Sequence, residues 1–478
     1  MSLYSKINII SEYITPNGYL FSGYSQQDLP EIFLNNLKKI KDFDVHLTRP
    51  TRPKEKYELR YVDTPFLNYL KEYKSKFSNE AHRIPIVKFK LPYQINETEL
   101  KDDILNVVIL EADTISVHRQ FGFDNFKLAP ATINLIKNNK NCILLIMDWR
   151  EGSYEITDKT IELFNGFVSK NGFKKEDVFF VNNNFQIKKD SQKYEFSVET
   201  FPWYILMGFD PRVYGRPDSM TNKELTFVKN DDAFNSYSNI RKYKFLSYNR
   251  NSNRLHRPYV ISKLYNDGIL KESLVSLYES RALSEYDNVL KSISNLEFET
   301  LKFSKEDREI LKKFVDESYP LKLDHDDADV CARADNQIST KEHFLNSYFN
   351  IVCETSCHSD YTFITEKTLR PVINLQPFII FGNPYTLKSL KELGFKTFDK
   401  WVDESYDLEI NTNKRFELAY NEILKISKLD IDEIHEIYFD MFEILEHNFN
   451  NLVKIYQSYL LPEYLGNTIY KALNKDLI

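Results

Sequence analysis

The feature that most constrains this chain is a recurring order of short apolar runs separated by longer stretches of mixed polarity. Residues 106–112, 141–149 and 177–181 are strand-sized and mostly apolar, while residues 129–140 and 158–171 between them carry helical periodicity and end in Asn, Lys or Gly. That rhythm predicts β-α-β-α-β and therefore a parallel sheet, and it disfavours separate all-α and all-β modules. A further strand is expected at 204–209.

A polar, weakly patterned stretch at 216–238 follows and reads as a linker, after which the same rhythm restarts. Strands are expected at 243–250, 274–278, 350–354 and 377–381, with helices at 257–267, 366–374 and 386–393. Residues 414–461 are almost continuously helical in pattern, and no internal repeat is evident. A chain of 478 residues exceeds what one core usually organises. The expected architecture is α/β, with two Rossmann-like domains at 1–235 and 236–478 facing across a cleft and a helical C-terminal segment.

Composition narrows the function classes. A net charge of −7 argues against broad nucleic-acid binding, which needs a basic surface to displace counterions. No run reaches the ~18 apolar residues of a membrane span, and the first residues lack a signal-peptide pattern, so a cytoplasmic protein is expected. The four cysteines show no Cys-x-x-Cys spacing and read as buried reduced thiols; Cys353, Cys357 and His358 lack a fourth ligand at zinc spacing. With 12 Gly, the chain has neither G-x-x-x-x-G-K-[ST] nor G-x-G-x-x-G, so phosphate has to be held by other means.

Two constellations offer those means. After the strand that opens the second half comes Asn249-Arg-Asn-Ser-Asn-Arg-Leu-His-Arg257, where Arg250, Arg254 and Arg257 stand at a strand-to-helix turn. Guanidinium forks bind phosphate oxygens bidentately, and a helix start adds backbone donors; a solvated basic turn is the plain alternative. The second constellation is Glu354, Asp360, Thr365, Glu366 and Lys367, a buried strand ending on a carboxylate and a helix opening on Glu-Lys. A carboxylate there can accept from ribose hydroxyls and a lysine can neutralise phosphate, yet Thr365 and Glu366 also read as ordinary helix capping.

The run Glu354-Thr-Ser, Asp360-Tyr, Thr365-Glu-Lys367 resembles the donor-binding motif of fucosyltransferase-like glycosyltransferases, roughly Phe-Glu-Asn-Ser followed by Asp-Tyr-Ile-Thr-Glu-Lys. Phe378-Ile-Ile-Phe-Gly382 is similar to the strand that follows it in that family, and the segment Lys244 to Arg257 is a weaker parallel to its Ser-Asn…Arg segment. The sequence departs from the pattern at Cys353, Thr355 and Gln376. Residues 240–410 also look like uncharacterised glycosyltransferase-like proteins of bacteria and large DNA viruses.

The resemblance implies a GT-B transferase that moves a sugar from a nucleotide-sugar donor, GDP-fucose-like or another GDP- or UDP-sugar, to a glycan or glycoconjugate hydroxyl. It implies inversion and no essential metal or cofactor, with Arg250, Arg254, Arg257, Glu354, Asp360, Thr365, Glu366 and Lys367 binding donor. Inverting transfer needs a base at the acceptor hydroxyl. The first half offers Glu111, Asp113, His118 and Asp148 where strands meet loops, with Glu151 beside them. The aspartate run Asp324 to Asp329 reads as a solvated acidic turn rather than a metal site. Two alternatives stay open: a non-catalytic nucleotide- or carbohydrate-binding module of the same fold, and sugar transfer to modified DNA.

Overall fold

The structure, a computed structural model, describes residues 6–11, 86–90, 100–102, 104–112, 128, 130–148, 158–182, 184, 187–200, 231–249, 252, 254–278, 301–323, 341–358 and 361–458. It divides into two compact units, Met1–Arg150 with Glu155–Trp203 and Ser458–Ile478, and Glu151–Tyr154 with Tyr204–Gln457. Each unit is built on a parallel sheet, so the α/β class expected from the alternating pattern is observed.

In the first unit six strands, β1 (Lys6–Ser11), β2 (Ile86–Lys90), β3 (Ile104–Ala112), β4 (Cys142–Asp148), β5 (Val178–Asn182) and β6 (Ser197–Thr200), lie in the order β2-β1-β3-β4-β5-β6. Leu144 and Ile146, two apart on β4, share one face and meet Ile161, Phe164 and Val168 of the helix Asp158–Asn171. Phe164 packs edge-on against Phe180 at 4.9 Å and tilts against Phe196 at 5.5 Å, which fastens that helix to β5 and the chain before β6. The pattern at 106–112, 141–149 and 177–181 located β3, β4 and β5. β1, β2 and β6 were not anticipated, and the strand expected at 204–209 lies outside the described residues.

In the second unit four strands, β7 (Tyr243–Asn249), β8 (Ser273–Leu277), β9 (Ser347–Cys353) and β10 (Phe378–Phe381), lie in the order β10-β9-β7-β8. Every residue of β9 and β10 is buried, as befits parallel strands covered on both faces. The helix Asp231–Asn235, just ahead of the 235/236 boundary expected from sequence, belongs to this unit: Phe234 packs on Phe449 with ring centroids 4.9 Å apart.

The segment read as almost continuously helical from 414 to 461 holds three helices, Thr412–Ser427, Ile431–Asp440 and Phe442–Ser458. The break is local chemistry. Asp430 takes an extended backbone and its carboxylate accepts from the Glu433 amide, while the Glu433 carboxylate accepts from the Asp430 amide. This capping box starts a new helix where periodicity alone suggested continuation. Among the described residues no helix is long and apolar enough to cross a membrane.

Gln376 stands at the amino-terminal edge of the second sheet. Its Nε2 donates to the carbonyls of Phe344 and Ser347 at 2.9 and 2.7 Å, beside the buried Arg241, whose Nη1 donates to the same Ser347 carbonyl at 2.7 Å. Its work is to tie β9 and β10 together at that edge, across the sheet from the polar residues that follow β7 and β9.

Candidate functional site

The strand order fixes where a ligand site belongs. From β7 the chain passes through the helix His256–Asn266 to β8 on one side, whereas β9 lies on the other. The seam between β7 and β9 is therefore the topological switch point, the place at which open parallel sheets hold ligands outside their carboxyl ends. Both constellations read from the sequence begin there, one after Asn249 and the other after Cys353. The seam is stitched by Ser247, whose Oγ donates to the Ile351 carbonyl at 2.8 Å and accepts from Asn249 Nδ2 at 3.0 Å.

Glu354 follows β9 and is wholly buried. Its Oε1 accepts from the Thr365 amide at 3.1 Å and the Thr368 hydroxyl at 2.5 Å. Oε2 accepts from the Thr355 amide at 3.1 Å and the Thr365 hydroxyl at 2.6 Å. A carboxylate offers about four lone-pair sites, and these four donors fill them. Gly382, just past β10, backs the side chain: a Cβ added there would stand 3.3 Å from Glu354 Cβ.

Thr365 caps the helix Glu366–Ile373, its Oγ1 accepting from the Lys367 amide at 3.3 Å. The Lys367 ammonium rests on Thr355 Oγ1 at 3.1 Å, Thr365 Oγ1 at 3.4 Å and Glu366 Oε1 at 2.8 Å, with about a quarter of its side chain (23%) exposed. Burial raises the Glu366 carboxyl, but Lys367 and Arg370 outweigh it and hold it down at about 2. Glu366 is thus ionised at neutral pH beside the partly exposed Lys367 side chain.

The arginine turn meets this cluster. His256 Nε2 lies 2.7 Å from the Glu354 carbonyl oxygen. Burial, reinforced by the Arg257 charge, pushes His256 well below the ordinary imidazole value. A neutral ring facing a carbonyl carries its proton on Nε2 and donates it. Arg257, in the first turn of the same helix, is almost fully buried, and its charge interacts with those of Glu366 and Glu354. Arg254 is half-buried and lies within electrostatic reach of Arg257 and His358. Of the two, Arg254 is the more exposed residue.

A further guanidinium locks the loops. Arg415, buried in the helix Thr412–Ser427, donates from Nε to the Gly382 carbonyl at 3.0 Å, from Nη1 to Glu409 and Ile410 carbonyls at 2.8 and 2.9 Å, and from Nη2 to the Cys357 carbonyl at 2.7 Å. Neither Arg415 nor His256 was expected as a site residue from sequence, nor was Thr368, and Thr355 was noted only as a departure from the motif. Thr368 carried a usable signal: a hydroxyl three positions after the cap, on the helix face that turns back to the strand carboxylate. Arg415 carried none, being 58 residues from Cys357.

The structure brings Arg254, Arg257, Glu354, Thr365, Glu366 and Lys367 together. Arg250 and Asp360 lie outside the described residues, as do Asp113, His118, Glu151 and the run Asp324 to Asp329. Glu111 and Asp148 belong to the carboxyl ends of β3 and β4, where Ala112 pairs with Asp148. Cys353 and Cys357 are free, buried thiols pushed up to about 12 by burial, which removes them as nucleophiles at neutral pH. Among the described residues no group of three or more His, Cys, Asp or Glu side chains is placed to hold a metal ion.

No family model matches the chain, and no curated protein matches it. Among solved structures it is similar to the α,α-trehalose-phosphate synthase (UDP-forming) of Burkholderia vietnamiensis, at 9% identity over 99% of both chains with a TM-score of 0.37. It is similar also to the α,α-trehalose 6-phosphate synthase of Burkholderia multivorans, at 10% identity over 99% of this chain and 97% of that one, TM-score 0.37. A third is the N-terminal domain of Candida albicans trehalose-6-phosphate phosphatase, at 11% identity over 97% and 98%, TM-score 0.37. Likenesses of this size carry neither an activity nor a substrate to this chain.

Proposed function

We propose that the protein is a GT-B glycosyltransferase whose second unit binds a nucleotide-sugar at the β7–β9 seam. The observation that carries this reading is the meeting of the arginine turn with the Glu354 to Lys367 segment at the switch point, through the 2.7 Å contact from His256 to the Glu354 carbonyl. Lys367 and Arg254 are partly exposed cations there and meet the diphosphate. Charge that develops on a departing nucleoside diphosphate is then stabilised by fixed cations without a metal.

In the finer form of the proposal the donor is GDP-fucose-like or another GDP- or UDP-sugar, the acceptor is a glycan or glycoconjugate hydroxyl, and transfer inverts. The base that takes the acceptor proton is sought among Glu111, Asp113, His118 and Asp148 by single substitutions.

The test is a donor screen that reads released GDP or UDP, alongside thermal midpoints with each nucleotide, since a ligand bound by the folded state alone raises stability. A GDP- or UDP-sugar is expected to raise the midpoint and turn over, with Lys367→Ala and Arg254→Ala each lowering turnover by about 10²-fold. If no nucleotide moves the midpoint and none is released, the proposal fails.

A further inference from the structure

The resemblance assigns Glu354 to the donor, but its surroundings point elsewhere. Its carboxylate is fully buried and its oxygens take two donors each. A ribose hydroxyl would have to displace one of them, leaving a buried amide or hydroxyl without its partner.

The donors themselves lead to Lys367. Of the three oxygens that hold its ammonium, two belong to Thr355 and Thr365. Thr355 is held by Glu354 through its amide, and Thr365 through both its amide and its hydroxyl. The Thr365 hydroxyl gives its proton to Glu354 Oε2, which turns its lone pairs toward the Lys367 amide and ammonium. An ionised carboxylate is an acceptor only and so enforces that direction; a neutral amide in its place presents N–H groups to donors. Glu354 also places the strand end and the helix start at a fixed separation, because both are tied to one rigid group.

We propose that Glu354 is a positioning residue that acts through Thr355 and Thr365 to fix the Lys367 ammonium, and that it does not touch the ligand. The inference rests on the proposed function only in naming phosphate as what Lys367 meets. Its test uses the nucleotide-free protein, so its failure and the failure of the donor screen are distinguishable.

Full-length protein carrying ε-¹⁵N-lysine is observed by ¹H–¹⁵N NMR of ordered ammonium groups, with Lys367→Arg identifying the signal of interest. Wild type is expected to show a resolved Lys367 signal. Glu354→Gln is expected to lose or shift it while the other ordered lysines keep theirs, and Glu354→Asp, which retains the charge but withdraws it by one methylene, to shift it less. Thr368→Val removes a bond to Glu354 without touching any of the three oxygens that hold Lys367, and is expected to leave the signal in place. Each variant is checked for a cooperative urea transition, and Glu354→Asp with Thr368→Val decides the matter if Glu354→Gln does not fold. A Lys367 signal unchanged in the Glu354 variants, lost equally in Thr368→Val, or absent from wild type overturns the inference.

Discussion

His256 Nε2 donates to the backbone carbonyl of Glu354 across 2.7 Å, joining two segments that are 98 residues apart in sequence. The bond requires a neutral imidazole only in the sense that burial beside Arg257 enforces one, and this gives it a pH signature. The unfolded chain takes up a proton near pH 6.5, whereas the folded chain holds His256 neutral until well below that. The unfolded state then binds more protons, so stability falls as pH drops through and below 6.5. Urea unfolding of wild type at pH 7.5, 6.5 and 5.5 is expected to show this loss, at up to about 1.4 kcal/mol per pH unit. His256→Gln is expected to be less stable at pH 7.5 by about 1–3 kcal/mol and to have a flatter slope. Parallel slopes would contradict the assignment.

Glu366 gives the opposite kind of window. Its carboxyl is held at about 2 against an ordinary 4.5, with burial outweighed by Lys367 and Arg370. The stabilisation is fully present above pH 4.5 and is lost as pH falls toward 2. The difference corresponds to roughly 3 kcal/mol. Glu366→Gln is expected to remove most of that dependence, read as the difference in unfolding free energy between pH 5 and the lowest pH at which wild type still folds.

Gly382→Ala places a methyl 3.3 Å from both Glu354 Cβ and Ile380 Cγ2. Neither neighbour yields easily, since Glu354 is held by four hydrogen bonds and Ile380 is buried in β10. A destabilisation of about 1–3 kcal/mol is expected from overpacking, measured as a lowered urea midpoint with unchanged slope.

Removing the Arg415 guanidinium strips partners from carbonyls of Cys357, Gly382, Glu409 and Ile410 together. Arg415→Ala is expected to lower stability by about 3 kcal/mol or more, and Arg415→Lys to recover less than half, because an ammonium cannot span the fork. Full recovery by lysine would mean that charge rather than fork geometry holds the loops.

How far these residues were legible in sequence depended on the range of the interaction. The strands of the second sheet and the helix capped by Thr365 follow from local patterns, as does the proximity of Glu366 and Lys367. β6 was missed because it is four residues long with one buried position, too little for alternation to register. The split of the helical tail was present in Asp430 and Glu433 but was masked by unbroken apolar periodicity. The saturation of Glu354 could not be read at all: a carboxylate after a strand looks the same whether it faces a ligand or four protein donors, and only the fold decides.

The lock supplied by Arg415 sets an order of assembly. Cys357 leaves the ribosome 58 residues ahead of the guanidinium that grips its carbonyl. At a synthesis rate of about 5–20 residues per second, that is an interval of roughly 3–12 s in which the Cys357 loop exists without its fastening. The loops that follow β9 and β10 therefore stay untied until the helix Thr412–Ser427 has been made, and a ribosome stalled before residue 415 has emerged would hold the strands of the sheet with those loops unfastened.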